Sequence, residues 1–376
     1  MRLALDGLTA LRALRVWRRT GRPLPEARCE LPPPDPNPQR RWTTRLLPLE
    51  RLALREVPTA DRPLEVVAPS ARTRLEASFA RCRVRSTSIP GRSFVDLGDG
   101  LLIPYPELLF FELAETMTPE AHALLAYELC GTYARDPEQP RLGEVVYDLP
   151  PVTSTERIAA YLDLLGDRPA AIASRHNLSH VADNAWSPME AIVALMICLR
   201  PDELGYGLGR VRLNARRGST PELVALGCRE SRVPDIEIVG THVGFNYDST
   251  LHLDLDAIAD AAARGDASAE IRAVREKYLD DLRRNRELAA LGSIILPVTK
   301  QDLFAPGGLD AVMLEAAMVI DQVDGGCSLS DVRAILGPSS LQRRRQRLIW
   351  SLLPWDEGVA HAQAALAWRP WENLTL

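Results

Sequence analysis

The sequence predicts an α/β protein, with a mixed β-sheet flanked by helices in its C-terminal part and an α+β domain before it. Two observations support this prediction. Residues 64–104 consist of short apolar runs separated by turn residues, whereas helix-length and strand-length patterns alternate from residue 156 onward. The 376 residues are 46% hydrophobic and 25% charged, which is typical of globular proteins and excludes a disordered or fibrous chain.

Residues 1–57 are predicted to be an Arg-rich helical segment followed by a proline-rich linker. Residues 1–55 contain twelve arginines and five acidic residues, and five prolines between positions 32 and 38 exclude a helix there. Two interpretations of these arginines stay open: they contact phosphate groups, or they form a solvent-exposed face of the helix. The apolar residues that recur at helical spacing are Leu3, Leu8, Leu11, Leu14 and Trp17.

Residues 58–150 are predicted to form the α+β domain. One helix is predicted over residues 107–133, because apolar residues occur on most of its turns. Prolines at positions 137, 140, 150 and 151 then interrupt the chain, so we place a domain boundary at residue 150. The predicted strands are residues 64–68, 82–88, 93–97 and 101–104.

Residues 151–330 are predicted to form a second domain. Ser187 and Glu190 have the spacing of a capping box at the start of its second helix. A strand, a helix and a strand in succession predict a parallel pair with a right-handed crossover. The predicted order is helices 156–165 and 188–199, strands 211–215, 235–239 and 243–248, helix 269–291, strand 293–299 and helix 309–323.

Polar residues lie near the ends of several of these elements. In chain order they are Ser187-Pro-Met-Glu190 on a helix, Pro234-Asp235 on a strand, Gly244-Phe-Asn246-Tyr-Asp248-Ser249 on the next strand, His252, then Asp281 and Arg284 on a long helix that ends at Gly292, and a strand that ends at Thr299. In order and spacing, this block resembles the nuclease-like domain of the PD-(D/E)XK superfamily. It is most similar to the very-short-patch-repair-type branch found in actinobacterial proteins of unknown function.

The resemblance implies a restriction-endonuclease-like fold and a metal-dependent DNA endonuclease. Mg²⁺ prefers hard oxygen ligands and usually takes one or two carboxylates from the protein. The resemblance therefore implies that Glu190, Asp235 and Asp248 are metal ligands. The implied catalytic residues are Glu190, Asp235, Asn246, Asp248 and His252.

The sequence departs from the family pattern on one strand. Asn246 and Ser249 stand where the family has Glu and Gly, and the superfamily's lysine is absent from this strand. An amide oxygen can coordinate a cation but brings no charge, so the change weakens Mg²⁺ binding. An active nuclease and a catalytically weakened, DNA-binding relative both stay open.

Each of these acidic residues also has an ordinary structural explanation. Glu190 can cap its helix, Asp235 can form a turn after Pro234, and Asp248 can end its strand through an Asx-turn. His252, like His242, can be a loop or a packed histidine.

Other charged and polar positions have equally ordinary explanations. Asp281, Arg284 and Arg286 have the helical spacing of ion pairs. His176, Asn177 and His180 lack an acidic or Cys partner at metal-ligand spacing in the sequence, and we predict that they lie at the surface.

Residues 331–376 are predicted to be a C-terminal helical tail. Its arginines concentrate positive charge, and a basic run beside aromatic residues can bind nucleic acid through charge and stacking. An amphipathic helix that docks its tryptophans on the core is the alternative. The residues concerned are Arg343, Arg344, Arg345 and Arg347, followed by Trp350, Trp355, Trp368 and Trp371.

Composition limits the remaining possibilities. A net charge of −5 excludes a wholly basic nucleic-acid coat but permits a local basic surface. Six scattered cysteines without a CxxC pair, no secretory segment and no membrane-length apolar run predict a cytoplasmic protein without a membrane partner. The sequence leaves the oligomeric state open.

The N-terminal half resembles proteins with an AbiEi-antitoxin-like region. This resemblance implies a context of genome defence or of toxin–antitoxin systems, with DNA as the partner. Two alternatives to the nuclease remain: a non-catalytic, antitoxin-like DNA-binding regulator, and a protein-interaction module with a vestigial nuclease core.

Overall fold

A computed structural model describes residues 3–31, 43–85, 89–248, 267–325 and 329–354. The chain is mixed α and β, as the sequence predicts at this level. The helices are α1 (Gly7–Arg19), α2 (Pro106–Leu113), α3 (Pro119–Cys130), α4 (Thr155–Leu164), α5 (Pro169–Leu178), α6 (Pro188–Cys198), α7 (Pro221–Ala225), α8 (Ala267–Ala290), α9 (Lys300–Phe304), α10 (Gly308–Val323), α11 (Leu329–Leu336) and α12 (Ser339–Leu352). The strands are β1 (Leu3–Ala4), β2 (Arg28–Cys29), β3 (Leu64–Ala68), β4 (Ala80–Val84), β5 (Phe94–Asp96), β6 (Leu101–Pro104), β7 (Val211–Leu213), β8 (Arg217–Gly218), β9 (Ser231–Arg232), β10 (Ile236–Ile238), β11 (Val243–Asp248) and β12 (Ile294–Thr299).

The chain folds as two compact units, one built from Met1–Pro188 and the other from Met189–Leu353. The division lies after Pro188, whereas the sequence pattern placed a boundary at residue 150. The reason is that α4 and α5 pack against α2 and α3, so both helices belong to the first unit.

The first unit contains a four-stranded sheet in the order β1-β6-β5-β2, together with the parallel pair β3–β4. Strands β5 and β6 form the antiparallel hairpin that the glycines between them predict, and Gly98 and Gly100 both have positive φ. The helix predicted over residues 107–133 is in fact two helices. Pro119 begins α3, and the Thr118 side chain accepts a hydrogen bond from the Ala121 amide at its start.

Two arginines of α1 bind this helix to the interior of the first unit. Arg15 forms a two-pronged ion pair with Glu128, with distances of 2.8 and 2.6 Å, and both side chains are buried. Arg18 donates to the backbone oxygens of Glu128 and Gly131 at 2.7 and 3.0 Å. Burial against several neighbours lowers the pKa of Arg18, and the Glu128 carboxylate opposes that shift. These two arginines are therefore structural and do not form a phosphate-binding surface.

Asn177 was predicted to lie at the surface, but it is buried in a second polar cluster. Its Nδ2 lies 3.0 Å from Nδ1 of His122, whose Nε2 lies 2.7 Å from the Phe110 oxygen. Since the amide nitrogen is a donor, His122 carries its proton on Nε2. His180 is also buried, while His176 is exposed.

The second unit is built on a four-stranded mixed sheet in the order β12-β11-β10-β7. Strand β10 pairs antiparallel with both β7 and β11, and β11 pairs parallel with β12 along its whole length. Strands β10 and β11 are thus neighbours, and the predicted parallel pair joined by a crossover helix is confirmed. Gly244 allows the close strand packing, because a Cβ there would lie 2.6 Å from the Ile236 oxygen.

The last helix, α12, packs against the rest of the second unit and buries both apolar and polar side chains. Arg345 is almost fully buried and pairs with Asp310 at 2.8 Å, and Tyr206 donates to the same carboxylate. The indole of Trp350 donates to the Phe304 oxygen at 2.9 Å and packs near its ring. Helix α12 therefore packs on the core, as the second interpretation of the tail expects. The other tryptophans of the tail, Trp355, Trp368 and Trp371, lie outside the described residues.

Candidate functional site

The polar residues singled out in the sequence meet at one end of the second unit's sheet. The strand register aligns Asn214 after β7, Asp235 before β10 and Asn246 within β11. The Asn214 amide donates to the Asp235 backbone oxygen at 3.0 Å, which continues the ladder one residue beyond the strands. A row of three polar side chains therefore crosses three neighbouring strands.

Asp235 and β11 are joined by reciprocal hydrogen bonds. The side-chain Oδ2 of Asp235 accepts from the Tyr247 amide at 2.7 Å. In return, Oδ1 of Asn246 accepts from the Asp235 amide at 3.0 Å. Asp235 therefore does more than form a turn after Pro234, because its carboxylate is anchored on the neighbouring strand.

Helix α6 supplies a third element of the site. Glu190 lies in its first turn, is buried, and accepts a hydrogen bond from Nδ2 of Asn214 at 2.9 Å. Asn214 has a φ of 49°, in the left-handed region that Asn tolerates better than most residues. This backbone turn at the end of β7 brings its side chain to Glu190.

The carboxyl group of Asp235 titrates far from its usual range. The pKa of Asp235 is raised from 3.8 to about 7, chiefly by burial and then by the negative charge of Glu190. The Arg284 guanidinium and the Tyr247 amide oppose this rise, while Asp248 adds to it. Asp235 therefore lies within electrostatic reach of both Glu190 and Asp248, the two other carboxylates that the sequence resemblance implies as metal ligands.

Helix α8 covers this end of the sheet with a polar stripe. Asn285 accepts a long hydrogen bond of 3.5 Å from Nδ2 of Asn246. One turn earlier, Asp281 pairs with Arg284 at 3.2 Å, as the helical spacing predicts. Farther along, Glu287 holds the buried Arg232 at 2.5 and 3.1 Å and thereby fixes the helix to β9.

Arginines from β7 and β8 border the row of polar side chains. Arg212 and Arg217 both bond to the buried carboxylate of Glu237, at 3.2 and 2.6 Å. Two guanidinium groups thus share one negative charge. Arg210 and Arg216, which are near these strands in the chain, are exposed.

The histidines and the tail arginines do not join the carboxylates. His252 and Ser249 lie outside the described residues. His242 lies in the loop before β11 and is paired through Nδ1 with Asp324, which lowers the pKa of that carboxyl against the opposing effect of its partial burial. On α12, Arg343, Arg344 and Arg347 are exposed. Arg345 is not available to nucleic acid, because it is buried against Asp310.

Sequence analysis missed the role of two asparagines. Asn214 connects Glu190 to β7, and Asn285 connects Asn246 to α8, but an Asn after a strand or within a helix is unremarkable by itself. The available signal was positional. Asn214 ends one strand and Asp235 begins the next, so antiparallel pairing puts them side by side.

The chain has no match among family models, curated proteins or solved structures. Within the described residues, none of the helices combines the length and the hydropathy needed to cross a bilayer.

Proposed function

We propose that the second unit is a metal-dependent nuclease centre acting on DNA, with Glu190, Asp235 and Asp248 as its acidic residues. The observation that carries the proposal is the state of Asp235, whose pKa is raised to about 7 by burial and then by the negative charges of Glu190 and Asp248, which lie on a neighbouring helix and strand. Such strongly perturbed groups concentrate at functional sites.

The order of elements supports the same proposal. Helix α6, strands β7, β10 and β11, helix α8 and strand β12 follow one another and form a sheet with helices packed on it. This helix–strand–strand–strand–helix–strand order agrees with the restriction-endonuclease-like fold that the sequence resemblance implies. The short elements β8, α7 and β9 are inserted between β7 and β10.

The donor chemistry of these side chains, which offer only carboxylate oxygens, suits a hard divalent cation such as Mg²⁺, but their oxygens do not all lie within 4.8 Å of one another. Buried carboxylates that repel one another have an electrostatic cost, and a cation between them removes it. Glu190, Asp235 and Asp248 would hold the ion. When bound, such an ion stabilises charge developing on a phosphodiester and lowers the pKa of a water molecule.

The chain's own residues determine the orientation of this centre. Tyr247 and Asn246 fix Asp235 through the two bonds between the strands, and Asn214 fixes Glu190. These contacts hold the carboxylate oxygens in place before any ligand arrives. A preorganised centre of this kind limits the reorganisation needed during a phosphoryl-transfer reaction.

Asn246 supports a second candidate function, DNA binding without cleavage. Its amide is used structurally, since Oδ1 accepts from Asp235 and Nδ2 donates to Asn285. A carboxylate at this position would add charge but could not donate to Asn285. The centre therefore contains one acidic group fewer than the family pattern implies, and this weakens its attraction for Mg²⁺.

A plasmid-nicking assay with Mg²⁺ or Mn²⁺ tests both candidates on native protein, Asp235→Asn, Asn246→Glu and the exposed control Glu230→Gln. The nuclease proposal predicts that native protein and the control nick DNA and that Asp235→Asn does not. A weakened centre predicts no native cleavage but some activity in Asn246→Glu.

Two results contradict the nuclease proposal. Cleavage that persists in Asp235→Asn would place the chemistry elsewhere. Absence of cleavage in all variants would exclude a cleavage centre, and salt-dependent DNA binding by the same proteins would then identify a binding function. If the proteins neither cleave nor bind DNA, the remaining candidate is a protein-interaction module.

A further inference from the structure

We propose that Arg212 and Arg217 together bind one backbone phosphate of DNA on the sheet of the second unit, beside the row of polar side chains. The inference rests on the proposed function for the class of ligand, because it takes DNA as the source of the phosphate. It assigns a ligand to two arginines that have no part in the proposed metal centre.

The first observation is that two cations share one anion. Arg212 contacts Oε2 of Glu237 through Nε and Nη2, at 3.2 and 3.1 Å, and Arg217 contacts Oε1 through Nε at 2.6 Å. Glu237 is buried, and one guanidinium would be enough to neutralise it. The second guanidinium leaves these three side chains with a net positive charge, which a bound anion would balance.

The second observation is that the two arginines keep donors that a ligand can reach. Among the described residues, neither Nη atom of Arg217 has an acceptor, and Nη1 of Arg212 has none. The side chains of Arg212 and Arg217 are 56% and 41% exposed, and the Nη atoms of Arg217 are not sealed from solvent. Glu237 fixes both guanidinium groups through Nε, so that their free ends are held in place before a ligand arrives.

The third observation is the location of the pair on the sheet. Arg212 lies opposite Glu237, and Glu237 lies opposite Gly244 on β11. Opposite residues of antiparallel strands project from the same face, and so do alternate residues of one strand. Asn246, which accepts from the Asp235 amide, is therefore on this face as well. The strand rise places the row of polar side chains about 7 Å along the sheet from the arginine pair.

The chemistry of the pair favours a phosphate group of a polymer. Guanidinium N–H groups form charge-assisted hydrogen bonds with phosphate oxygens, and their planar fork matches two of these oxygens. A free anion competes poorly with water at an exposed pair of cations. A phosphate of a DNA strand is also held by contacts to the neighbouring nucleotides, and such contacts fix the position of the strand on the protein.

Fluorescence anisotropy of a labelled duplex oligonucleotide in EDTA measures binding apart from metal and cleavage. The variants are Arg212→Gln and Arg217→Gln, and the matched control is Arg216→Gln, an exposed arginine that bonds Ser231. Each variant leaves one arginine on Glu237, so we expect both to fold, which urea unfolding checks. The proposal predicts about a tenfold loss of affinity in each variant and at most about a twofold loss in the control.

Two further measurements distinguish a phosphate site from a general positive charge. Arg217→Lys keeps the charge but loses the fork of parallel N–H groups, so we expect it to bind DNA several-fold more weakly than the native protein. The salt dependence of binding should decrease more in Arg217→Gln than in Arg216→Gln, because a phosphate contact is lost. Equal losses of affinity in these two variants, or full affinity in Arg217→Lys, would overturn the proposal.

The plasmid-nicking assay separates this inference from the proposed function. If native protein binds DNA with the predicted dependence on Arg212 and Arg217 but does not nick it, the nuclease proposal fails and the phosphate site stands. If native protein nicks DNA while both glutamine variants keep full affinity, the nuclease proposal stands and the phosphate site fails. Native protein that does not bind the duplex at all would also refute the phosphate site.

Discussion

Replacing Asp235 by Asn should stabilise the protein at neutral and alkaline pH in the absence of metal. The folded state raises the pKa of Asp235 from 3.8 to about 7. In that interval the folded protein binds a proton that the unfolded chain releases. Native stability is therefore highest below pH 3.8 for this group and decreases as the pH rises through 7.

The size of the effect follows from the same pKa difference. Each pH unit between the unfolded and folded values corresponds to about 1.4 kcal/mol, which gives a penalty of about 4 kcal/mol above pH 7. Relaxation around the charged group reduces it, so we expect Asp235→Asn to exceed native stability by about 2–4 kcal/mol at pH 8. The amide oxygen can still accept from Tyr247.

Urea unfolding of native protein, Asp235→Asn and the exposed control Glu230→Gln, in EDTA from pH 5 to pH 9, measures the difference. The stability advantage of Asp235→Asn should grow with pH, while that of Glu230→Gln should not. Adding Mn²⁺ at pH 8 should stabilise the native protein and leave Asp235→Asn unchanged, since ligand binding to the folded state adds stability. A variant less stable than native protein at pH 8 without metal would show that favourable partners hold the carboxylate, and would refute the reasoning.

Three further predictions concern residues outside this centre. Burial lowers the pKa of His122 from 6.5 to about 4, so the native protein should lose about 3 kcal/mol as the pH falls from 6.5 to 4, and His122→Leu should lack this part of the pH dependence in urea unfolding. Arg345→Ala should cost about 3–5 kcal/mol in the same assay, because Asp310 is left buried without its cation, whereas Arg344→Ala should change stability by less than about 0.5 kcal/mol. Charge reversal of Arg343, Arg344 and Arg347 with Arg345 retained should weaken DNA binding and reduce its salt dependence; unchanged anisotropy titrations would exclude α12 from the DNA surface.

The fold of the second unit was largely predictable because its local patterns agree with one another. The apolar run that became β11, the long amphipathic α8 and the run that became β12 imply a parallel crossover, and the register of β11 and β12 confirms it. In the first unit, the single helix predicted over residues 107–133 is divided into two helices, and the second begins after Thr118. A proline there removes a donor and begins a new helix, and hydrophobic periodicity alone does not register that.

Charge patterns were the weakest guide, because charge does not report burial. Arg15, Arg18 and Arg345 belong to basic runs in the sequence, yet each is buried against a carboxylate or backbone oxygens. Their partners Glu128 and Asp310 lie 113 and 35 positions away along the chain. No local pattern reveals such pairs, since they form only when distant elements pack.

One part of the candidate site follows from local sequence patterns, and another part depends on burial that such patterns do not report. Asp235 and Asp248 could be placed near each other from the short connection between their strands, but the consequence of that proximity could not. The raised pKa of Asp235 comes chiefly from burial that exists only in the folded unit, and then from Glu190 on a helix more than forty residues earlier in the chain. An amide in place of the Asp235 carboxylate would avoid this cost, as the uncharged Asn246 beside it does. Asp235 instead keeps a carboxylate, although an amide oxygen could also accept from Tyr247, and this is the pattern that the proposed metal site predicts.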